Sequence, residues 1–445
     1  MIDLKGKCVG VVGYSRSGRA VARRVLLEGG CVRISDRSRD ARLLEELKSL
    51  GWEHETGGNT ESFLSSCDLI VLSPGVDGTK SPFRELKAKG IPLVSEIEFA
   101  YPRISGKIIG ITGSNGKSTV TTLIHHLLTS AGRTAHLTGN IGFPLTDTLG
   151  EAREFWVVEL SSFQLEETVD FHPWGSLLLN LTPDHLDRYP SVEEYIQAKL
   201  RIFQNQGSRD WAVLNRDDPR VLQEGMKVRA EKLLFSRVGE ADASVSQGWV
   251  LWRGERVLPV AEIPLLGVHN LENVLASLAA GIACGLTLGE IRDGVRSFKG
   301  LEHRTEPCGE IEGRLFINDS KATNLDSTLK ALESFDRPLM LILGGKDKGG
   351  EFSVLNSLLK SKARAVILLG AASDKIDGQI DPGVLRYRAS SMAEAVRIGY
   401  RRGERGDVVL LAPGCASFDM YSNFEERGRD FKAQVSLLAE EVKNG

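Results

Sequence analysis

The sequence runs to 445 residues, more than one ordinary hydrophobic core accommodates, so two or three domains are expected. Its 41% hydrophobic and 26% charged content is that of a folded soluble protein. A formal net charge of -3 gives no overall electrostatic drive toward nucleic acid or an anionic membrane, so any anionic substrate must be held by placed groups. The opening residues lack the pattern of a signal peptide and no apolar run is long enough to span a bilayer, which points to a cytoplasmic protein that is not membrane-embedded. Six scattered cysteines, with no C-x-x-C pair, read as buried reduced thiols rather than disulfides or a zinc site.

Short β-branched runs alternate with helical stretches along the chain, the pattern of an α/β protein with mainly parallel sheets. The first block reads as a strand at Cys8–Val12, a turn at Gly13–Gly18 and a helix from Arg19 to Glu28. Strands at Val32–Ser35 and Asp68–Leu72 follow, the layout of a doubly wound nucleotide-binding unit. Prolines and a Ser-Gly pair make the stretch Pro92–Gly106 a linker by composition. The second block begins with a strand at Ile108–Ile111 and a helix running on from Ser118. It continues through strands at Phe155–Glu159, Ser176–Leu181 and Trp211–Asn215, and closes on a helix from Asn270 to Cys284. A third block opens near Leu301, with strands at Leu315–Asn318, Leu339–Leu343, Ala365–Leu369 and Val408–Leu411. The expected domains are 1–98, 99–301 and 302–445.

Between the strand Ile108–Ile111 and its helix lies Thr112-Gly113-Ser114-Asn115-Gly116-Lys117-Ser118-Thr119. Glycines here let the backbone turn tightly and aim N–H groups at phosphate oxygens, with the helix N-terminus adding positive potential. Lys117 then reaches the β- and γ-phosphates of ATP, and the Ser118 or Thr119 hydroxyl reaches magnesium. The strict pattern wants glycine six residues before the lysine, where this chain has Ile111. A second turn, Gly13 to Gly18 followed by Asp36, half-matches a dinucleotide fingerprint, but its middle glycine is Ser15, whose side chain hinders approach to a pyrophosphate. An ordinary βα turn fits as well.

Glu159, at the carboxyl end of an apolar strand in the block of the phosphate loop, is placed to bind magnesium, and His185 after another strand end is a metal ligand or a cap. Lys199, in a helical run, reads from its pattern as a solvated surface lysine. In the third block the polar clusters Asn318 to Thr323, Gly344 to Gly349 and Ala412 to Asp419 each follow a strand, so together they would line one edge of a sheet.

These stretches, with Gly139-Asn140-Ile141-Gly142, His269-Asn270, His303-Arg304 and the run Glu159 to Glu166, resemble the Mur ligase family, and within it the members that add D-glutamate. The resemblance implies a Rossmann-like N-terminal domain for a UDP-linked substrate, a central P-loop-type ATPase domain and a C-terminal Rossmann-like domain for the incoming amino acid. The implied activity is ATP-dependent amide formation between UDP-N-acetylmuramoyl-L-alanine and D-glutamate through an acyl phosphate, with ATP and two Mg2+ ions; a monomer is expected, and from the charge balance no nucleic-acid partner. It implies ATP contacts from Gly113, Ser114, Asn115, Gly116, Lys117, Ser118, Thr119, Asn270, Asn273, Arg304 and Asp319, with Lys321 near the transferring phosphate. Metal ligands would be Thr119, Glu159, His185 and Lys199, the last as a carbamate, which reverses the surface reading of that lysine. Arg16, Ser17, Asp36, Arg37 and Gly75 fall in the uridine region, and Asn140, Ser161 and Gln164 against the muramoyl-alanine part. Thr323, Lys348, Ser417, Phe418 and Phe424 match the D-glutamate pocket. The chain departs from the usual pattern at Ala412-Pro413 and at Arg16. A ligase for another amino acid, folylpolyglutamate synthase, or a nucleotide-binding regulatory module are the competing readings; the separate N-terminal unit argues against the folate enzyme, and the joint presence of Glu159, His185, Lys199 and Lys321 against a pure binder.

Overall fold

A computed structural model describes residues 3–183, 188–347 and 349–444. It divides into two compact units, one of Met1–Ile263 with Leu271–Phe298, the other of Pro264–Asn270 with Lys299–Gly445. The first unit contains two sheets and the second unit one.

The N-terminal sheet consists of β1 (Cys8–Val12), β2 (Cys31–Asp36), β3 (Glu53–Thr56), β4 (Leu69–Leu72) and β5 (Leu93–Ser95), in the order β3-β2-β1-β4-β5. All four pairings are parallel. Val9 and Val11 face one core and Val12 the other, as the period of two requires of a strand covered on both faces. The order reverses beside β1, which puts the Gly13–Gly18 turn at the switch point where doubly wound sheets bind ligands. The helix after this turn starts at Arg16 rather than Arg19 and ends at Leu27.

The stretch expected as a linker carries regular structure, and residues 95–100 within it are buried. After β5 comes a short helix, Glu96–Ala100, whose residues are all buried. Its two acids accept backbone N–H groups: Glu98 takes those of Val169 at 2.9 Å, Asp170 at 2.8 Å and Phe171 at 3.0 Å, and Glu96 takes that of Thr146 at 2.6 Å. Burial pushes the Glu96 carboxyl up to about 7. Polar composition reads as exposed unless the donors that satisfy it are known.

The central sheet contains β6 (Lys107–Thr112), β7 (Ala135–Gly139), β8 (Phe155–Glu159), β9 (Gly175–Leu178), β10 (Trp211–Asn215), β11 (Glu231–Ser236), β12 (Ala243–Ser246), β13 (Trp249–Trp252) and β14 (Glu255–Pro259). Their order is β14-β13-β12-β11-β10-β9-β6-β8-β7. Pairing is parallel from β7 to β12, and the sheet ends in an antiparallel meander, β12 to β14, that the sequence reading does not contain. β6 lies between β9 and β8, so its carboxyl end is again a switch point.

The second unit is built on β15 (Glu306–Ile311), β16 (Arg314–Asn318), β17 (Leu339–Leu343), β18 (Ala363–Leu369), β19 (Arg386–Ala389) and β20 (Val408–Leu411), in the order β15-β16-β20-β17-β18-β19. Only β15 runs antiparallel to its neighbour. Along β17, Leu339, Leu341 and Leu343 enter one core while Met340 and Ile342 enter the other. β16, β20 and β17 are adjacent and parallel, so the polar clusters that follow them share one sheet edge.

Candidate active site

The loop after β6 is shaped by two glycines with positive φ, Gly113 at 151° and Gly116 at 85°. A Cβ on Gly113 would stand 3.0 Å from Leu179 Cβ, and one on Gly116 would stand 2.5 Å from Asn273 Oδ1, so both positions combine a backbone and a space requirement. Gly116 caps the helix Lys117–Ser130 without a side chain. Ile111, where the strict pattern has glycine, is fully buried and still paired in the ladder with Glu159 and Leu177, so the loop begins only at Gly113. Ser118 and Thr119, in the first helical turn, are both buried.

Asn180, just past β9, braces the loop: its carbonyl accepts from Ser114 N at 3.0 Å, its Oδ1 accepts from Asn115 N at 2.7 Å, and its Nδ2 donates to Asn115 O at 3.1 Å. Ser114 Oγ donates to Thr182 O at 2.8 Å and lies 3.0 Å from the Tyr195 hydroxyl. Two ammonium groups converge on one carbonyl, since Lys117 Nζ donates to Gly113 O at 2.8 Å and Lys199 Nζ donates to it at 2.9 Å. Lys199 is only 2% exposed and sits 4.6 Å above the Tyr195 ring. The surface position expected from its helical pattern is therefore wrong: the helix Val192–Leu200 buries the face that carries Tyr195, Ile196 and Lys199.

Glu159 ends β8 and is 2% exposed. Its Oε1 accepts from Asn140 Nδ2 at 2.8 Å, and its Oε2 has no hydrogen-bond partner among the described residues. A buried carboxylate oxygen left this way suits a cation. His185 lies outside the described residues, among which no group of three His, Cys, Asp or Glu side chains is arranged to hold a metal. Ser161 and Gln164 form a capping box on the helix Ser162–Glu166, which fixes both against the carboxyl end of β8.

At the Gly13–Gly18 turn, a Cβ on Gly18 would collide with Gly13 O, which explains the last glycine. Both oxygens of Asp36 are engaged by backbone, accepting from Tyr14 N at 2.6 Å and Ser38 N at 2.7 Å. Arg16 reaches out to donate to Gly142 O, in the segment after β7. Ser17 is half-buried, and Arg37 and Gly75 are exposed. Unforeseen is a cluster in which Arg188 donates to Val76 O at 3.1 Å and Glu166 Oε2 at 2.5 Å and stacks 4.3 Å over Phe163, while Tyr189 donates to Glu166 Oε1.

In the second unit, Asp319 follows β16. Burial, partly opposed by the charge of Arg304 and by the Thr305 N–H, pushes its carboxyl up to about 6. The backbone around Arg304 is left-handed at His303 and Thr305, with φ of 63° and 44°. Buried His303 lies 2.9 Å through Nδ1 from Asn318 Nδ2, and its carbonyl accepts from Lys321 N at 3.1 Å. Lys321 Nζ sits 4.0 Å over the Phe424 ring. Thr323 is half-buried, Ser417 buried and Phe418 65% exposed. Lys348 lies outside the described residues. Asn270 is buried and donates through Nδ2 to Leu266 O at 2.6 Å. Arg427 has no counterpart in the sequence reading: buried in the helix Phe424–Asn444, it donates to Ser320 Oγ at 3.0 Å, Ser320 O at 2.9 Å and Cys415 O at 3.2 Å. It thereby ties two of the polar clusters together, and burial lowers it to about 10.

Fold and site together define an α/β nucleotide-binding protein with a phosphate loop at a sheet's switch point. The Mur ligase middle domain matches residues 111–281, the Mur ligase glutamate ligase domain residues 303–415, and the MurD-like N-terminal domain residues 7–95. The chain is 43% identical, over 99% of its length and all of the relative's, to the UDP-N-acetylmuramoylalanine–D-glutamate ligase of Koribacter versatilis (strain Ellin345). It is 40% identical over 98% of its length to the ligase of the same name from Geotalea uraniireducens (strain Rf4), covering 99% of that chain. This chain belongs to the Mur ligase family. Its fold is also that of the UDP-N-acetylmuramate–alanine ligase of Thermotoga maritima, at 18% identity, with a TM-score of 0.62 over 97% of this chain and all of that one.

Proposed function

We propose that this chain is the ATP-dependent acid–amino-acid ligase that adds D-glutamate to UDP-N-acetylmuramoyl-L-alanine in peptidoglycan-precursor synthesis. The observation that carries the reading is its likeness, along nearly the whole chain, to ligases of that name. The substrate carboxylate attacks the γ-phosphorus of ATP, ADP leaves, and an acyl phosphate forms. The amine of D-glutamate then adds to the acyl carbon, loses a proton, and phosphate departs. A carboxylate is a poor electrophile, and phosphorylation supplies the leaving group; the protein's part is positioning and charge neutralisation rather than a nucleophile of its own.

In this reading ATP lies on Gly113, Ser114, Asn115, Gly116, Lys117, Ser118 and Thr119, with Asn270, Asn273, Arg304 and Asp319 holding the rest of the nucleotide. Lys117 turns its donors from the loop carbonyls to the phosphates, and Lys321 serves the transferring group. The unpartnered oxygen of Glu159 favours a cation, so we assign Mg2+ to Glu159, Thr119 and His185, with Lys199 as its carbamate helping to hold a second ion. Bound Mg2+ supplies charge neutralisation to the phosphates. Carbamylation joins the Lys199 amine to CO2 with loss of a proton, turning a buried cation into an anion. Arg16, Ser17, Asp36, Arg37 and Gly75 take the uridine end, and Asn140, Ser161 and Gln164 the muramoyl-alanine end. Thr323, Lys348, Ser417, Phe418 and Phe424 take D-glutamate. The work is divided among 1–98, 99–301 and 302–445 in a cytoplasmic monomer. Among the described residues no helix is long and apolar enough to cross a membrane.

Phosphate release from ATP is expected only when UDP-N-acetylmuramoyl-L-alanine and D-glutamate are both supplied. Equal turnover with L-glutamate, or with another amino acid in its place, would sink the assignment.

A further inference from the structure

Three cysteines that are distant in sequence meet at the amino-terminal edge of the first sheet, away from the turn assigned to the uridine end. Cys8 opens β1 and Cys31 opens β2, directly opposite one another in parallel register. In-register residues of neighbouring strands project to the same face, and such strands stand about 4.8 Å apart, within the Cα separation of about 4.4–6.8 Å that a disulfide spans. Cys67, just ahead of β4, points to that face as well, its Sγ 3.1 Å from where a Cβ on Gly10 would stand. Cys8 packs against the apolar cluster that contains Cys67. Their access to solvent differs: Cys31 is exposed, Cys8 half-buried and Cys67 buried.

We propose that Cys31 and Cys8 form an oxidation site in which a hydroperoxide converts the Cys31 thiol to a sulfenic acid and Cys8 closes it to a disulfide. In the first step the Cys31 sulfur is oxidised and takes one peroxide oxygen, while the other peroxide oxygen is reduced and leaves as water or an alcohol. In the second, the Cys8 sulfur attacks the Cys31 sulfur, the S–O bond breaks, and the Cys8 proton leaves with the hydroxyl as water. Exposure sets the order, because Cys31 is the most accessible of the three to the oxidant. Burial pushes the Cys8 thiol up to about 12, which disfavours its thiolate and leaves the first reaction with the oxidant to Cys31. The register, rather than proximity alone, selects Cys31 over Cys67 as its partner. This site is independent of the ligase reading and uses none of its residues.

The test treats the full-length protein with excess hydrogen peroxide under native conditions, then counts thiols after unfolding and maps the peptides by mass spectrometry. Two of the six thiols should disappear, with a linked peptide pair containing Cys8 and Cys31 that dithiothreitol separates. Cys31→Ser should leave Cys8 reduced under the same treatment. The proposal is overturned by Cys31 sulfinate without the link, by an intermolecular Cys31 disulfide, by a Cys8–Cys67 link, or by retention of all six thiols. The wild-type peptide map decides among these without requiring any variant to fold.

Discussion

The first unit builds one local device twice: a strand, a glycine turn, a helix, and a carboxylate at the end of a neighbouring strand. At β1 the turn is Gly13–Gly18 and the carboxylate is Asp36; at β6 the loop is Gly113–Gly116 and the carboxylate is Glu159. The two differ in where their polar groups are directed. Asp36 gives both oxygens to backbone N–H groups, so it holds the turn in shape. Glu159 gives one oxygen to Asn140 and keeps the other buried without a partner among the described residues, and two lysines stand on the carbonyl of the adjoining loop. The same strand, glycine turn and helix thus come with a carboxylate that braces the turn in one place and with one that keeps a buried oxygen for a ligand in the other.

The largest effect should come from removing the lysine that only the second device has. Lys117→Ala is expected to lower kcat/KM by on the order of 10³-fold, the scale of losing a placed transition-state donor. Arg16→Ala, at the first device, should raise KM for the UDP-linked substrate and leave kcat within about twofold. A kcat loss at Arg16 as large as that at Lys117 would erase the distinction. Lys199→Ala should cost on the order of 10²-fold and regain part of its rate in added acetate, because a small anion restores the charge of the carbamate. Wild-type rates without acetate would refute that role.

The carboxylates sharpen the contrast further. Glu159→Gln should lose activity, by on the order of 10²-fold, while its thermal midpoint stays near wild type. Asp36→Asn should keep most of its turnover but lose about 2 kcal/mol of stability with its charge-assisted bonds. Denaturation curves and rates measured on both variants would show whether the roles are reversed. A pH-dependent effect is expected at Asp319, held at about 6 against an ordinary 3.8. Because folding favours its protonated form, its contribution is complete below pH 4 and is lost as pH rises through 6, by about 3 kcal/mol at most. Asp319→Asn should flatten the fall of the thermal midpoint between pH 4 and 6, and parallel wild-type and variant curves would contradict this.

What the sequence made legible was local. The phosphate loop could be read because glycine, lysine and the flanking strand and helix act within a few residues of one another. The shared edge of β16, β20 and β17 followed from polar clusters recurring after apolar runs. Lys199 could not be read from pattern, since its burial depends on Gly113, 86 residues earlier in the chain. Arg427 was hidden for the same reason, as its partners at Ser320 and Cys415 lie across a sheet edge. The helix Glu96–Ala100 was misread as linker because its acids are satisfied by amides some fifty to seventy residues away. Likewise the thiols of Cys8, Cys31 and Cys67 became neighbours only once the strand order was known.

Glu98 has a practical consequence for anyone dividing this chain into parts. A cut between residues 98 and 99 looks natural on sequence grounds, yet it would strip Val169, Asp170 and Phe171 of the carboxylate that receives all three of their amides. Leaving a buried donor such as the Phe171 amide unsatisfied costs roughly 1–3 kcal/mol. A fragment meant to carry the ATP-binding part alone should therefore start upstream of Ser95, so that the helix and its cap travel with it.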